Sequence, residues 1–81
     1  MAEIEILWTP AALWALRSFP WNEAERIDAA VQRFARKGEG RVARIEGSAI
    51  RLRLYVPPYV ARLNLDRNSG VLVVAWVFRQ S

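Results

Sequence analysis

The most regular alternation of apolar and polar side chains runs from Ile50 to Asp66. In its first half Ile50, Leu52 and Leu54 point one way, and Arg51, Arg53 and Tyr55 point the other. After a Pro57-Pro58 corner, Tyr59, Ala61, Leu63 and Leu65 share one face, and Val60, Arg62, Asn64 and Asp66 share the opposite one. A period of two over this length predicts half-buried antiparallel strands, with one face that needs a core and one that presents cations. The same period marks Glu3 to Trp8, where Ile4, Ile6 and Trp8 align in a first strand. Arg41 to Glu46 reads as a short strand closed by Gly47-Ser48, after which the next strand starts at Ala49. Arg67-Asn68-Ser69-Gly70 has the composition of a hairpin turn. Val71 to Phe78 is almost wholly apolar, so it is either a central strand or one whose second face meets a partner.

Between the first strand and Arg41 the period changes to that of helices. Thr9 is placed to cap a helix and Pro10 to occupy its first position, where a missing N–H costs nothing. This helix runs to Ser18 with Ala12, Leu13 and Leu16 inward, and Phe19-Pro20 ends it. Asn22, with Glu25 three residues later, gives a capping-box-like start to a second helix. Ile27, Ala30, Val31 and Phe34 form its apolar stripe, and Gly38 is its stop. Glu23, Glu25 and Asp28 near its start, and Arg33, Arg36 and Lys37 near its end, complement the helix dipole. The order is β-α-α-β-β-β-β. That order predicts a single α+β domain over residues 1–81, two-layered, with a helical hairpin on one face of a mainly antiparallel sheet.

Charge changes this picture by being lopsided. Residues 1–40 hold five Lys or Arg against six acids, while residues 41–81 hold seven Arg against two acids. A basic half that coincides with the expected sheet points to a nucleic acid or an acidic partner. A solvated face with no ligand would carry the same residues. Eleven of the twelve cations are Arg, the better side chain for bidentate phosphate contact. The chain has no Cys and no His, and its carboxylates are not clustered, so neither a metal site nor a cofactor is expected. Gly38-Glu39-Gly40 is too short for a phosphate-binding loop and lacks its Lys-Ser/Thr. The acidic start is not followed by a long apolar run, which argues against a leader or a membrane span and makes the cytoplasm the expected location.

Taken in order, these elements resemble the RelE/ParE superfamily of toxins from bacterial type II toxin–antitoxin systems. The run from Ile6 to Leu16 is similar to the family's first strand and helix. Arg44-Ile45-Glu46-Gly47 resembles its Leu-x-Gly lead into the third strand. Arg51-Leu52-Arg53 takes the place of a basic pair that ribosome-dependent RelE-type nucleases use on messenger RNA. Pro58-Tyr59-Val60 stands where Asp/Gly-Tyr-Arg is usual, and Ala75 to Arg79 where a Val-Gly-His-Arg-like ending is usual. Val60 thus replaces an Arg that helps hold the scissile phosphate, and Phe78 replaces a common His or Lys.

The resemblance implies a growth-arresting toxin, neutralised by a cognate antitoxin, that cleaves messenger RNA on the ribosome with Arg51, Arg53 and Arg79 as catalytic cations. Arg44, Arg62 and Tyr55 join Arg51 and Arg53 as candidate nucleic-acid contacts. Arginine stays protonated, so it supplies charge stabilisation rather than a base. The alternatives are a ParE-like, non-enzymatic block of DNA gyrase and an inactive basic binding module. Placing Arg79 beside Arg51 and Arg53 on the open face fixes the phase of the last strand. Leu72, Val74, Trp76 and Phe78 then enter the core, and Val71, Val73, Ala75 and Val77 join Val60 outside. In that arrangement Val60, Val71, Val73 and Val77 form an apolar strip suited to an antitoxin segment.

Overall fold

The computed structural model describes residues 4–47 and 50–80. Glu3 and the expected turn and strand start at Ser48 and Ala49 lie outside the described residues. Five strands and two helices follow the expected order: β1 (Glu5–Trp8), α1 (Pro10–Ser18), α2 (Trp21–Lys37), β2 (Arg41–Arg44), β3 (Arg51–Val56), β4 (Tyr59–Asp66) and β5 (Val71–Arg79). The strands form one mixed sheet in the order β1-β5-β4-β3-β2. All neighbours are antiparallel except β1 and β5, which run parallel. The last strand is therefore interior to the sheet, paired on both sides, one of the two placements its apolar composition allows.

The two helices cover one face of the sheet. Ala12 of α1 and Ile27, Val31 and Ala35 of α2 are buried against Leu52, Leu54, Ala61, Leu63, Leu72, Val74 and Val77. Ile4, Ile6 and Trp8 pack on the same core from the edge strand. The Phe19 ring at the end of α1 meets Tyr59, with centroids 4.6 Å apart. Leu13 and Ile50, both expected inside, are exposed. Leu13 sits on the outer side of α1, and Ile50 precedes β3 instead of entering it.

The second helix begins two residues earlier than a cap at Asn22 implied. Pro20 is its cap, and Asn22 lies inside the first turn, so the capping box does not form. Backbone groups serve instead, with the N–H groups of Glu23 and Ala24 donating to the Pro20 carbonyl. A rigid Phe19-Pro20 corner already fixes the chain's entry angle. At the other end Gly38 adopts φ 68°, a left-handed cap that lets its N–H reach the Phe34 carbonyl. Pro57-Pro58, joined by a cis peptide bond, makes the β3–β4 corner.

The last strand carries the one irregularity in the ladders. Leu63 pairs with Val74 but Arg62 with Trp76, so Ala75 is an extra residue between them. This β-bulge reverses the phase of everything after it. Leu72 and Val74 face the core as expected. Beyond the bulge, however, Val77 is buried in the core, and Trp76 and Phe78 turn to the open face. The bulge is tied down by Thr9. Its hydroxyl donates to the Ala75 carbonyl at 2.8 Å and accepts from the Ala12 N–H at 3.1 Å, while its own N–H donates to the Val74 carbonyl. One side chain thus caps α1 and clamps the bulge.

Asp66 organises the turn into β5. Its carboxylate accepts from the N–H groups of Asn68 at 3.0 Å and Ser69 at 3.2 Å. The Ser69 N–H above all, aided by the Ser69 hydroxyl and the Asn68 N–H, holds this carboxyl below the usual aspartate range.

Two stability predictions follow from these hydrogen bonds. Thr9→Val, which keeps the shape and removes the hydroxyl, is expected to cost about 2 kcal/mol in urea unfolding, with Thr9→Ser close to the parent. The folded-state pKa of Asp66 is depressed, so its contribution is present at neutral pH and is lost as pH falls through its folded value. Asp66→Asn should therefore lose stability at neutral pH and show a flatter acid limb, read by urea midpoints from neutral pH to about pH 2.

Candidate functional site

The register of the strands defines the uncovered face row by row. The first row crosses the sheet as Arg41, Tyr55, Val60 and Phe78. The second is Ala43, Arg53, Arg62 and Trp76. Below the bulge come Arg51, Asn64, Val73 and Leu7, and then Asp66, Val71 and Glu5. Cations occupy β2, β3 and β4, and apolar side chains occupy β5 and β1. The carboxylates that strand register puts on this face, Glu5 and Asp66, sit together at its far end.

Arg51, Arg53 and Arg62 come together as expected. They border a shallow concavity of about 370 Å³ with Ile45, Leu63, Asn64 and Ala75. Arg53 and Arg62 stand directly opposite each other on adjacent strands, an arrangement that opposes folding unless an anion lies between them. The ion pairs Arg26–Glu23 and Arg33–Glu39 both lie outside this face. Arg62 lies over the Phe78 ring, with its guanidinium carbon 5.9 Å from the centroid.

Other expected members stand elsewhere. Arg79 pairs with Tyr59, a core-facing residue, so it lies on the helix-covered side, opposite to Arg51 and Arg53. The bulge at Ala75 is the cause, because it shifts the phase of β5 by one residue. Arg44 pairs with Leu52 and is likewise on the helix side, where it borders a small cleft with Phe34, Val42 and Arg67. Arg41, which is not among the candidate contacts the sequence suggests, takes the open-face position beside Tyr55. The lead was available in the register of a two-strand hairpin, but the length of the β2–β3 connection hid it.

The apolar strip is also rearranged. Val71 and Val73 are half-buried on the open face, as expected. Val77 is 1% exposed within the core and offers nothing to a partner. Val60 faces the open side but is only 2% exposed, flanked by Tyr55 and Phe78. Trp76 and Leu7 provide the exposed apolar surface, at 48% and 46%. No group of His, Cys, Asp or Glu suited to a metal ion occurs among the described residues.

No protein-family model and no curated protein matches the chain. Solved structures match it along nearly its whole length. A chain of the archaeal RelE–RelB complex from Pyrococcus horikoshii OT3 superposes with a TM-score of 0.84 at 14% identity, covering 99% of this chain and 98% of that one. The YoeB dimer of Staphylococcus aureus gives 0.75 at 13% identity, over 99% and 100% of the two chains. The chromosomal ParDE toxin–antitoxin system of P. aeruginosa gives 0.72 at 12% identity, over 98% of each. The likeness is one of fold, and the chain has the fold of RelE/ParE superfamily toxins.

The facing guanidiniums yield a prediction that separates stability from function. Arg53→Gln removes a like-charge contact and should raise stability by about 0.5 kcal/mol in low-salt urea unfolding. The gain should shrink in high salt, where the repulsion is screened.

Proposed function

Starting from this RelE/ParE-type toxin fold, we propose that the chain is the toxin of a type II toxin–antitoxin pair, that it arrests growth by cleaving messenger RNA on the ribosome with the open face of its sheet, and that a cognate antitoxin silences it by covering that face. The observation that carries this reading is the cluster of Arg51, Arg53 and Arg62 on an uncovered sheet face. The matched Pyrococcus horikoshii chain comes from a complex of RelE with RelB, which supports an antitoxin as partner here.

The three guanidiniums suit a phosphodiester. They hold its non-bridging oxygens, align the 2′-hydroxyl with the leaving oxygen, and stabilise the charge that builds on the phosphorane. The strand residues of this face supply no neutral-range base beside them: the chain has no His, and Glu5 and Asp66 lie at the far end. Proton transfer is left to water or to groups of the ribosome, and the protein acts by positioning and by charge. The antitoxin meets the same face with apolar side chains on Val71, Val73 and Leu7 and with carboxylates on the arginines.

The lack of a neighbouring base among the strand residues of this face, together with Arg79 on the other side of the sheet, favours one rival: a non-enzymatic, ParE-like block of DNA gyrase. The two are separated by supplying purified protein to translating ribosomes and mapping transcript ends. Cut transcripts are expected. An Arg51→Ala/Arg53→Ala/Arg62→Ala variant should lose at least about a hundredfold in cleavage rate and no longer arrest growth on induction. Arg79→Ala, which removes a cation from the opposite side, should remain toxic. Intact transcripts with accumulating gyrase–DNA breaks would transfer the protein to the gyrase reading, and normal growth of induced hosts would leave a binding module only.

A further inference from the structure

The bulge at Ala75 sets two large aromatic side chains on a surface that already carries cations. Arg53, Arg62 and Trp76 form one row across β3, β4 and β5, and the next row ends in Phe78. Trp76 is 48% exposed, Phe78 is half-buried, and Arg62 lies over the Phe78 ring. The three border a concavity of about 340 Å³. The core closes without them, since Val77 fills the inward position at this level of β5.

Resting on the RNA-directed reading above, we infer that Trp76 and Phe78, with Arg62 beside them, form a stacking subsite for an unpaired nucleobase of the RNA whose backbone lies on Arg53. Three features favour a base over an apolar anchor from a protein. The subsite is continuous with the cations: two strand spacings separate Arg53 from Trp76, about 10 Å, a span one nucleotide covers from phosphate to base. One wall is a guanidinium, which stacks on a base or bonds its edge, whereas a greasy side chain would strip that charge of water without compensation. Neither row contains a carboxylate, so a polyanion meets no repulsion there. Stacking reads no hydrogen-bond code, so the subsite accepts every base and favours purines for their larger rings.

The test uses fluorescence anisotropy with labelled single-stranded oligoadenylate and an abasic oligonucleotide of equal length and charge. The parent protein is expected to bind the adenylate roughly tenfold or more tightly than the abasic strand. Trp76→Ala should bring adenylate down to the abasic level while leaving abasic affinity unchanged, which also reports an intact fold. Trp76→Phe should keep most of the difference, and Arg53→Gln should weaken both strands alike. Equal binding of the two strands by the parent protein overturns the subsite, even if ribosome-dependent cleavage is intact. So does discrimination that survives both Trp76→Ala and Phe78→Ala, whether or not those variants lose an antitoxin. Base-dependent binding in a protein that neither cuts transcripts nor arrests growth upholds the subsite and removes the cleavage reading instead.

Discussion

The hydrogen bond from the Thr9 hydroxyl to the Ala75 carbonyl decides what the open face displays. A bulge is a local choice of one residue, yet in a strand that choice reverses every side chain beyond it. Thr9 makes the choice stable, because the same oxygen that holds the bulge also receives the Ala12 N–H in the first turn of α1. With the bulge fixed, Val77 completes the core and Trp76 and Phe78 face outward beside Arg62. Without it, an indole and a phenyl ring would be forced beneath the helices, and Arg79 would stand among the cations.

Much of the architecture was legible because its signals are local. The alternation in β3 and β4, the Thr9-Pro10 start of α1, the apolar stripe of α2 and the stop at Gly38 each follow from neighbouring residues. The readings that failed met either a competing neighbour or a distant partner. Asn22 had the composition of a cap, but Pro20 had already started the helix through its carbonyl. Period-two counting through Ala75 placed Trp76 and Phe78 inside and Val77 outside, because an all-apolar strand gives no internal sign of where its phase breaks. Arg44 is a candidate nucleic-acid contact by sequence, whereas its register with Leu52 puts it on the helix side and gives Arg41 the outer position. Within the site, Arg51, Arg53 and Arg62 were readable from their own strands. The aromatic half was not.

The two faces of the sheet are built to opposite rules. Beneath the helices, aliphatic side chains are buried to within a few per cent and no buried side-chain polar atom lacks a partner among the described residues. On the open side, like charges face each other and large apolar groups meet water. Such a surface opposes the stability of the free chain. It becomes favourable only when an anion or a complementary protein segment lies across it, which is the behaviour expected of a binding face.

The parallel pairing of β1 with β5 has a consequence for when the molecule becomes competent. Thr9 and Ala75 are separated by 66 positions, and β5 is the strand on which both β1 and β4 are zipped. Long-range closure of this kind comes late in folding. During translation β1 and the helical hairpin emerge early, but the row joining Arg53, Arg62 and Trp76 does not exist until the final strand has left the exit tunnel. A nascent chain therefore lacks the assembled surface until β5 is free to pair with both of its neighbours.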